Sequence, residues 1–122
     1  MKRLFIDKRC RFASVFDSET GAYLRTGVLD GSGRDTGVDP FMASFPQLID
    51  VGVMGHCKHG KTGLCLKAGI GCYQSGSVVE QPNMPLEDFR WIAEQCRGKV
   101  MQFALGGRGD PDQHEDLEGL LA

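Results

Sequence analysis

Cys57, Cys65 and Cys72 stand in a glycine-rich stretch with the spacing C-x7-C-x6-C. Thiolate sulfur is the soft ligand that iron-sulfur clusters and zinc select, and a loop with little side-chain bulk lets backbone wrap closely around an inorganic core. Three cysteines leave one iron of a cluster open, as a cluster must be if it binds a substrate or cleaves a cofactor. Structural zinc is an alternative, with His56 or His59 completing a Cys3His set, and free reduced thiols are another. Spacing alone does not separate the three.

The same loop carries a second pattern. Gly55-His56-Cys57-Lys58-His59-Gly60-Lys61-Thr62 matches G-x-x-x-x-G-K-[ST], whose amides cradle phosphates while the lysine and threonine meet the terminal phosphates and magnesium. Such a loop must run into a helix, yet Gly63, Gly69 and Gly71 follow, each costing about 1 kcal/mol relative to alanine in a helix.

These residues need elements to hold them. Leu48 to Met54 is short, β-branched and apolar apart from Asp50, a pattern expected of a strand buried on both faces of a parallel sheet. Pro85 to Arg97 reads as a helix: Pro85 suits its first turn, Glu87 and Asp88 its N-terminus and Gly98 its stop. Leu86, Phe89, Ile92, Ala93 and Cys96 then share one face. Val100 to Leu105 is a second strand stopping at Gly106-Gly107, and a right-handed crossover sets it parallel to the first. The thiol loop and the bare glycine backbone would thus lie side by side at the strands' C-terminal ends, where open α/β sheets bind ligands. Glu115 to Ala122 begins as an acidic, helix-favouring turn.

Ahead of this, Arg11 to Phe16 and Ala22 to Val28 form a hairpin around Asp17-Ser18-Glu19-Thr20-Gly21. Residues 1–46 are therefore a β-ribbon extension and linker. Residues 47–122 are a βαβα portion, belonging either to a very small α/β domain or to the first part of a larger barrel. Phe41, Met42 and Phe45 are expected to pack, Trp91 to sit at the helix edge, Cys96 and Cys10 to play no ligand role, and His114 to stand at a solvated helix start.

Composition narrows the function. Fourteen lysines and arginines against sixteen acids give a net charge of -2 with the signs interspersed. No basic face for nucleic acid or an anionic membrane follows from that. The apolar run after Met1-Lys2-Arg3 is broken by Asp7, so it does not read as an export signal, and no stretch approaches a membrane span. Five cysteines, an odd number, then read as reduced thiols of a cytoplasmic protein.

The order of these features resembles the radical S-adenosylmethionine (radical SAM) superfamily over Leu48 to Leu121. The shared features are a first strand, a three-cysteine loop with an aromatic beside the third cysteine (Cys72-Tyr73), a helix, a second strand and a glycine pair running through Arg108-Gly109-Asp110 into another helix. The resemblance implies the first two β/α units of a partial β/α barrel preceded by the short hairpin. It implies an iron-sulfur enzyme in which Cys57, Cys65 and Cys72 hold a [4Fe-4S] cluster whose open iron binds S-adenosylmethionine. Gly106 and Gly107 would contact the methionyl amino group, with Tyr73 and Arg108 as neighbours in the cofactor site. An electron from a reductant protein would generate a 5'-deoxyadenosyl radical that abstracts hydrogen from a substrate, a peptide being one class. The family's usual spacing is C-x3-C-x2-C with the aromatic before the third cysteine, and its Gly-Gly-Glu motif has an acid where Arg108 stands here. A full eight-unit barrel takes about 250 residues, so the resemblance also implies an incomplete chain.

Overall fold

The computed structural model describes residues 1–122. The chain divides into two compact units, Met1–Gln47 and Leu48–Ala122. The first is a three-stranded antiparallel sheet in the order β1 (Lys2–Asp7), β2 (Phe12–Asp17), β3 (Tyr23–Arg25). Central β2 buries Phe12, Ser14 and Phe16 on one face. Arg25 lies over the Phe12 ring at 5.9 Å, and the buried Ser14 hydroxyl accepts a hydrogen bond from Gln47 Nε2 at 3.0 Å.

The expected two-stranded ribbon is therefore one strand short. Lys2–Asp7 pairs along its whole length with β2, from Lys2 opposite Asp17 to Asp7 opposite Phe12. Its turn contains no glycine or proline. Asp7 instead accepts the Cys10 amide at 2.9 Å, and Arg11 takes a left-handed φ of 56°. The third strand is only three residues long, because the chain after Arg25 turns into the 27–38 loop. There Val28 N–H donates to Val38 O at 2.7 Å, and the Asp35 carboxylate accepts the Gly27 amide at 3.1 Å. Phe41 is 99% exposed and Met42 68%, so neither packs as expected; both lie in irregular backbone outside every strand.

The second unit is α/β. Parallel strands β4 (Leu48–Met54) and β5 (Gln102–Gly107) are joined through the short helices α1 (Lys58–Thr62) and α2 (Leu64–Lys67) and the longer α3 (Leu86–Cys96). A 3₁₀ turn (Pro111–Gln113) and α4 (Leu117–Leu121) follow. Strand β4 spans the expected residues, and α3 falls one residue short of its expected run at each end, with Pro85 at its N-cap rather than in its first turn. Gly98 accepts the left-handed φ of 74° that ends the helix. Strand β5 runs two residues later than expected, so Gly106 and Gly107 are its last residues and not a stop beyond it. Two parallel strands do not close a barrel.

Alternation along β4 decides where the core lies. Val51 and Val53 are buried against Phe89 of α3 and Leu120 of α4, with Ile49, Phe103, Leu105 and Ile92 packed around them. Phe89 and Phe103 meet edge to face at 5.7 Å. The opposite face carries Asp50 and Gly52 beside Ala104 and Gly106 and is open, so β4 is buried on one face and not on two. Asp50, Gly52 and Gly106 leave the middle of that face little apolar surface to bury, and Leu48 at its start stays about half exposed. Trp91 is 68% exposed, on the outer face of α3, while Cys96 is buried as expected. No helix is long and apolar enough to cross a membrane.

Truncating Phe89 removes the ring at the centre of this packing. Phe89→Ala should cost about 3–5 kcal/mol of unfolding free energy by urea titration, whereas Phe41→Ala should stay within about 0.5 kcal/mol of the parent.

Candidate metal centre

The thiol loop leaves β4 at Gly55, and the peptide groups there are fully committed. The Gly55 amide donates to Asn83 Oδ1 at 3.0 Å, and its carbonyl accepts from the Gln81 amide at 3.0 Å and from Arg108 Nη1 at 3.1 Å. A Cβ at Gly55 would lie 2.1 Å from Pro82 O, so only glycine fits. Residues 81–84 thus form a strap along the end of β4, where Met84 N–H also donates to Val53 O at 2.8 Å.

Cys57 caps α1, its sulfur accepting the Gly60 amide at 3.3 Å. Gly63 ends α1 with a left-handed φ of 66°, and α2 then carries Cys65. The expected plain loop is therefore two short helices broken at a glycine. Cys72 follows, its sulfur accepting the Gly76 amide at 3.4 Å. The Gly76 and Gln74 amides hold the Cys72 thiol below its ordinary pKa; desolvation opposes them, and the Ser75 amide and the charge of Arg108 assist. Such a group is present as thiolate at lower pH than a free cysteine, which makes it a better nucleophile and metal ligand near neutrality.

Cys57, Cys65 and Cys72 line one small cavity together with His59, Gly60, Gly63, Leu66 and Ser77. His56, the other zinc-ligand candidate, is not in that lining. The three sulfurs share the cavity without converging: no group of three or more His, Cys, Asp or Glu side chains is placed to hold a metal ion. Closing on one requires the sulfurs to approach one another. The donor set fits a soft metal all the same, because thiols are three of the five side chains in the lining that carry a donor atom, and amides already serve two of the sulfurs.

A second, broader hollow lies against the open face at the C-terminal ends of β4 and β5. It is lined by Asp50, Gly52, Cys72, Tyr73, Gly106, Gly107, Arg108 and Asp110, among others. Gly107, at φ 117°, sits at a break in the pairing register, and a Cβ there would come 2.6 Å from Met54 O. Arg108 does less for the hollow than expected. Its Nε donates to Gln74 O at 2.9 Å and its Nη1 to Gly55 O, so the guanidinium braces the thiol loop against the end of β4. Tyr73 is 91% exposed.

The phosphate-loop pattern meets a different geometry. The Gly60 amide is taken by Cys57 Sγ and the Lys61 amide by Cys57 O, while the Lys61 ammonium pairs with Glu80. The amides that would face phosphates are those of a closed helical turn.

His114 is not solvated as expected but buried at 6% exposure. Its Nδ1 accepts the Asp116 amide at 3.1 Å, which leaves Nε2 to donate to Met84 O at 3.0 Å. Asn83, buried beside it, donates to Glu115 and holds that carboxylate below its usual pKa. His114 and Asn83 fix the strap, and sequence reading missed both because their partners are mostly main-chain atoms far along the chain.

No protein-family model matches the chain, and no curated protein or solved structure matches it.

The rate of Cys72 alkylation should titrate with a midpoint below the ordinary thiol value of about 8.5. Arg108→Gln should move that midpoint upward by removing the nearby charge. Gly60→Ala should do so as well, because its Cβ would fall 2.0 Å from Gly76 O and push away the segment that donates to Cys72. Mass-spectrometric alkylation of Cys72 against pH checks all three.

Proposed function

We propose that Cys57, Cys65 and Cys72 hold a [4Fe-4S] cluster with one open iron beside a site for S-adenosylmethionine, making this a radical SAM-type enzyme or a portion of one. The observation that carries the reading is the position of Cys72, which is the wall shared by the thiol cavity and the strand-end hollow. A ligand held in the hollow is thereby next to a metal held by the thiols.

When bound, this pair supplies reductive cleavage of the cofactor and so the hydrogen-abstracting power. The chain's own part is positioning. The Gly60 and Gly76 amides donate to ligand sulfurs, the kind of contact that sets a cluster's potential. Gly52, Gly106 and Gly107 keep the hollow's floor free of side chains, Tyr73 offers an aromatic ring at its edge, and Arg108 holds the loop in place. A protein reductant would supply the electron. A peptide substrate is consistent with so open a face, and the barrel belongs to this same reading.

One observation favours a second reading. His59 lines the thiol cavity, so Cys57, Cys65, Cys72 and His59 also make up a Cys3His zinc set, and the chain would then be a small zinc-stabilised interaction module.

Metal content separates the two. Anaerobic reconstitution should give about four irons per chain and a brown protein whose spectrum changes with S-adenosylmethionine. The triple variant Cys57→Ala, Cys65→Ala, Cys72→Ala should lose that iron, and Lys61→Ala should keep it. One zinc and a colourless protein would establish the second reading, and nucleotide binding abolished by Lys61→Ala would establish the phosphate loop instead.

A further inference from the structure

Asp50 is the one charged residue of β4, a place where aspartate is disfavoured and where nothing in the core requires it. It projects from the open face into the strand-end hollow, over the paired glycine backbone. A Cβ built on Gly106 would lie 3.4 Å from Asp50 Oδ1, so the carboxylate stands directly above the spot that Gly106 leaves bare. It makes no hydrogen bond or ion pair with any other residue of the chain. Arg108, the cation nearest in the lining, is turned to the carbonyls of Gln74 and Gly55. The hollow therefore holds a carboxylate that no ion pair neutralises, on a floor of Gly52, Ala104 and Gly106 that admits a ligand close to the backbone.

We infer that Asp50 is the counter-charge for the α-ammonium group of S-adenosylmethionine; this rests on the cofactor reading above. The cofactor brings two positive centres, an ammonium and a sulfonium. Only the ammonium has N–H bonds to donate, and a carboxylate accepts such bonds in their strong, charge-assisted form. Asp110 also lines the hollow, but from the segment after β5. Asp50 is fixed by strand pairing opposite Ala104, on a rigid element, as a positioning group should be.

The test is Asp50→Asn in the full chain after anaerobic reconstitution, with Asp110→Asn alongside. Iron content and the half-saturation of the cluster's electron-spin-resonance change are read, first with S-adenosylmethionine and then with S-adenosylhomocysteine, which keeps the ammonium and lacks the sulfonium. Asp50→Asn should keep its iron and need about tenfold or more ligand for half-saturation with both compounds, while Asp110→Asn stays within about twofold of the parent. Unchanged half-saturation in Asp50→Asn overturns the assignment while the cluster and cofactor reading stands. A penalty confined to S-adenosylmethionine overturns the ammonium assignment in favour of the sulfonium. A parent protein that takes up iron and ignores both ligands refutes the cofactor half of the reading and this inference with it, and one that takes up no iron refutes the cluster as well.

Discussion

The peptide group at Gly55 is the constraint on which the second unit depends. Three segments distant in sequence meet there: the end of β4, the strap at 81–84 and the tip of β5 with Arg108. Each contact uses main-chain atoms or a buried side chain, and any Cβ at Gly55 would collide with the carbonyls of Pro82 and Gln81. Unmade hydrogen bonds at such a junction would leave buried polar groups unpaired, at about 1–3 kcal/mol each. The thiol loop, about thirty residues of mostly exposed chain between two core elements, therefore begins and ends at a fixed point.

From that point the two hollows follow. The core side of the sheet is closed by α3 and α4, so the only face left for a ligand is the one lined by Asp50, Gly52, Ala104 and Gly106. Arg108 crosses from β5 to the loop and brings Gln74, and with it Cys72, to the rim of that face. The Gly76 and Gln74 amides lower the Cys72 thiol pKa and the same guanidinium adds to them, so one side chain both places the sulfur and helps favour its charged form. An arginine suits this task better than an acid would, because its planar fork donates in two directions at once.

Much of this was legible in the residues. The β-branched run 48–54 and the 3.6-residue periodicity of 86–96 carry strong local signals, and Pro85 and Gly98 punctuate the helix. Cys57, Cys65 and Cys72 were readable as one set from their recurrence in a single glycine-rich stretch, and the structure brings all three to one cavity. Strand β1 was not readable, because its turn is made by the Asp7 carboxylate and a left-handed Arg11 where a glycine would ordinarily signal it. One-sided burial of β4 was hidden for a related reason: Gly52 is counted as apolar but offers nothing to bury. The braces Arg108, Asn83 and His114 were misread or passed over, since each acts on partners about 30 to 50 residues away, and no local pattern encodes such distances.

The two left-handed glycines that flank Cys65, Gly63 at φ 66° and Gly69 at φ 72°, give the three thiols different mechanical standing. Cys57 and Cys72 are held by amides of the segments that pack on each other at Gly60 and Gly76, while Cys65 rides a single helical turn bounded by the two glycines. For a metal held there, two of the ligands would come with their sulfurs already fixed by main-chain amides, and the third, Cys65, would come with none.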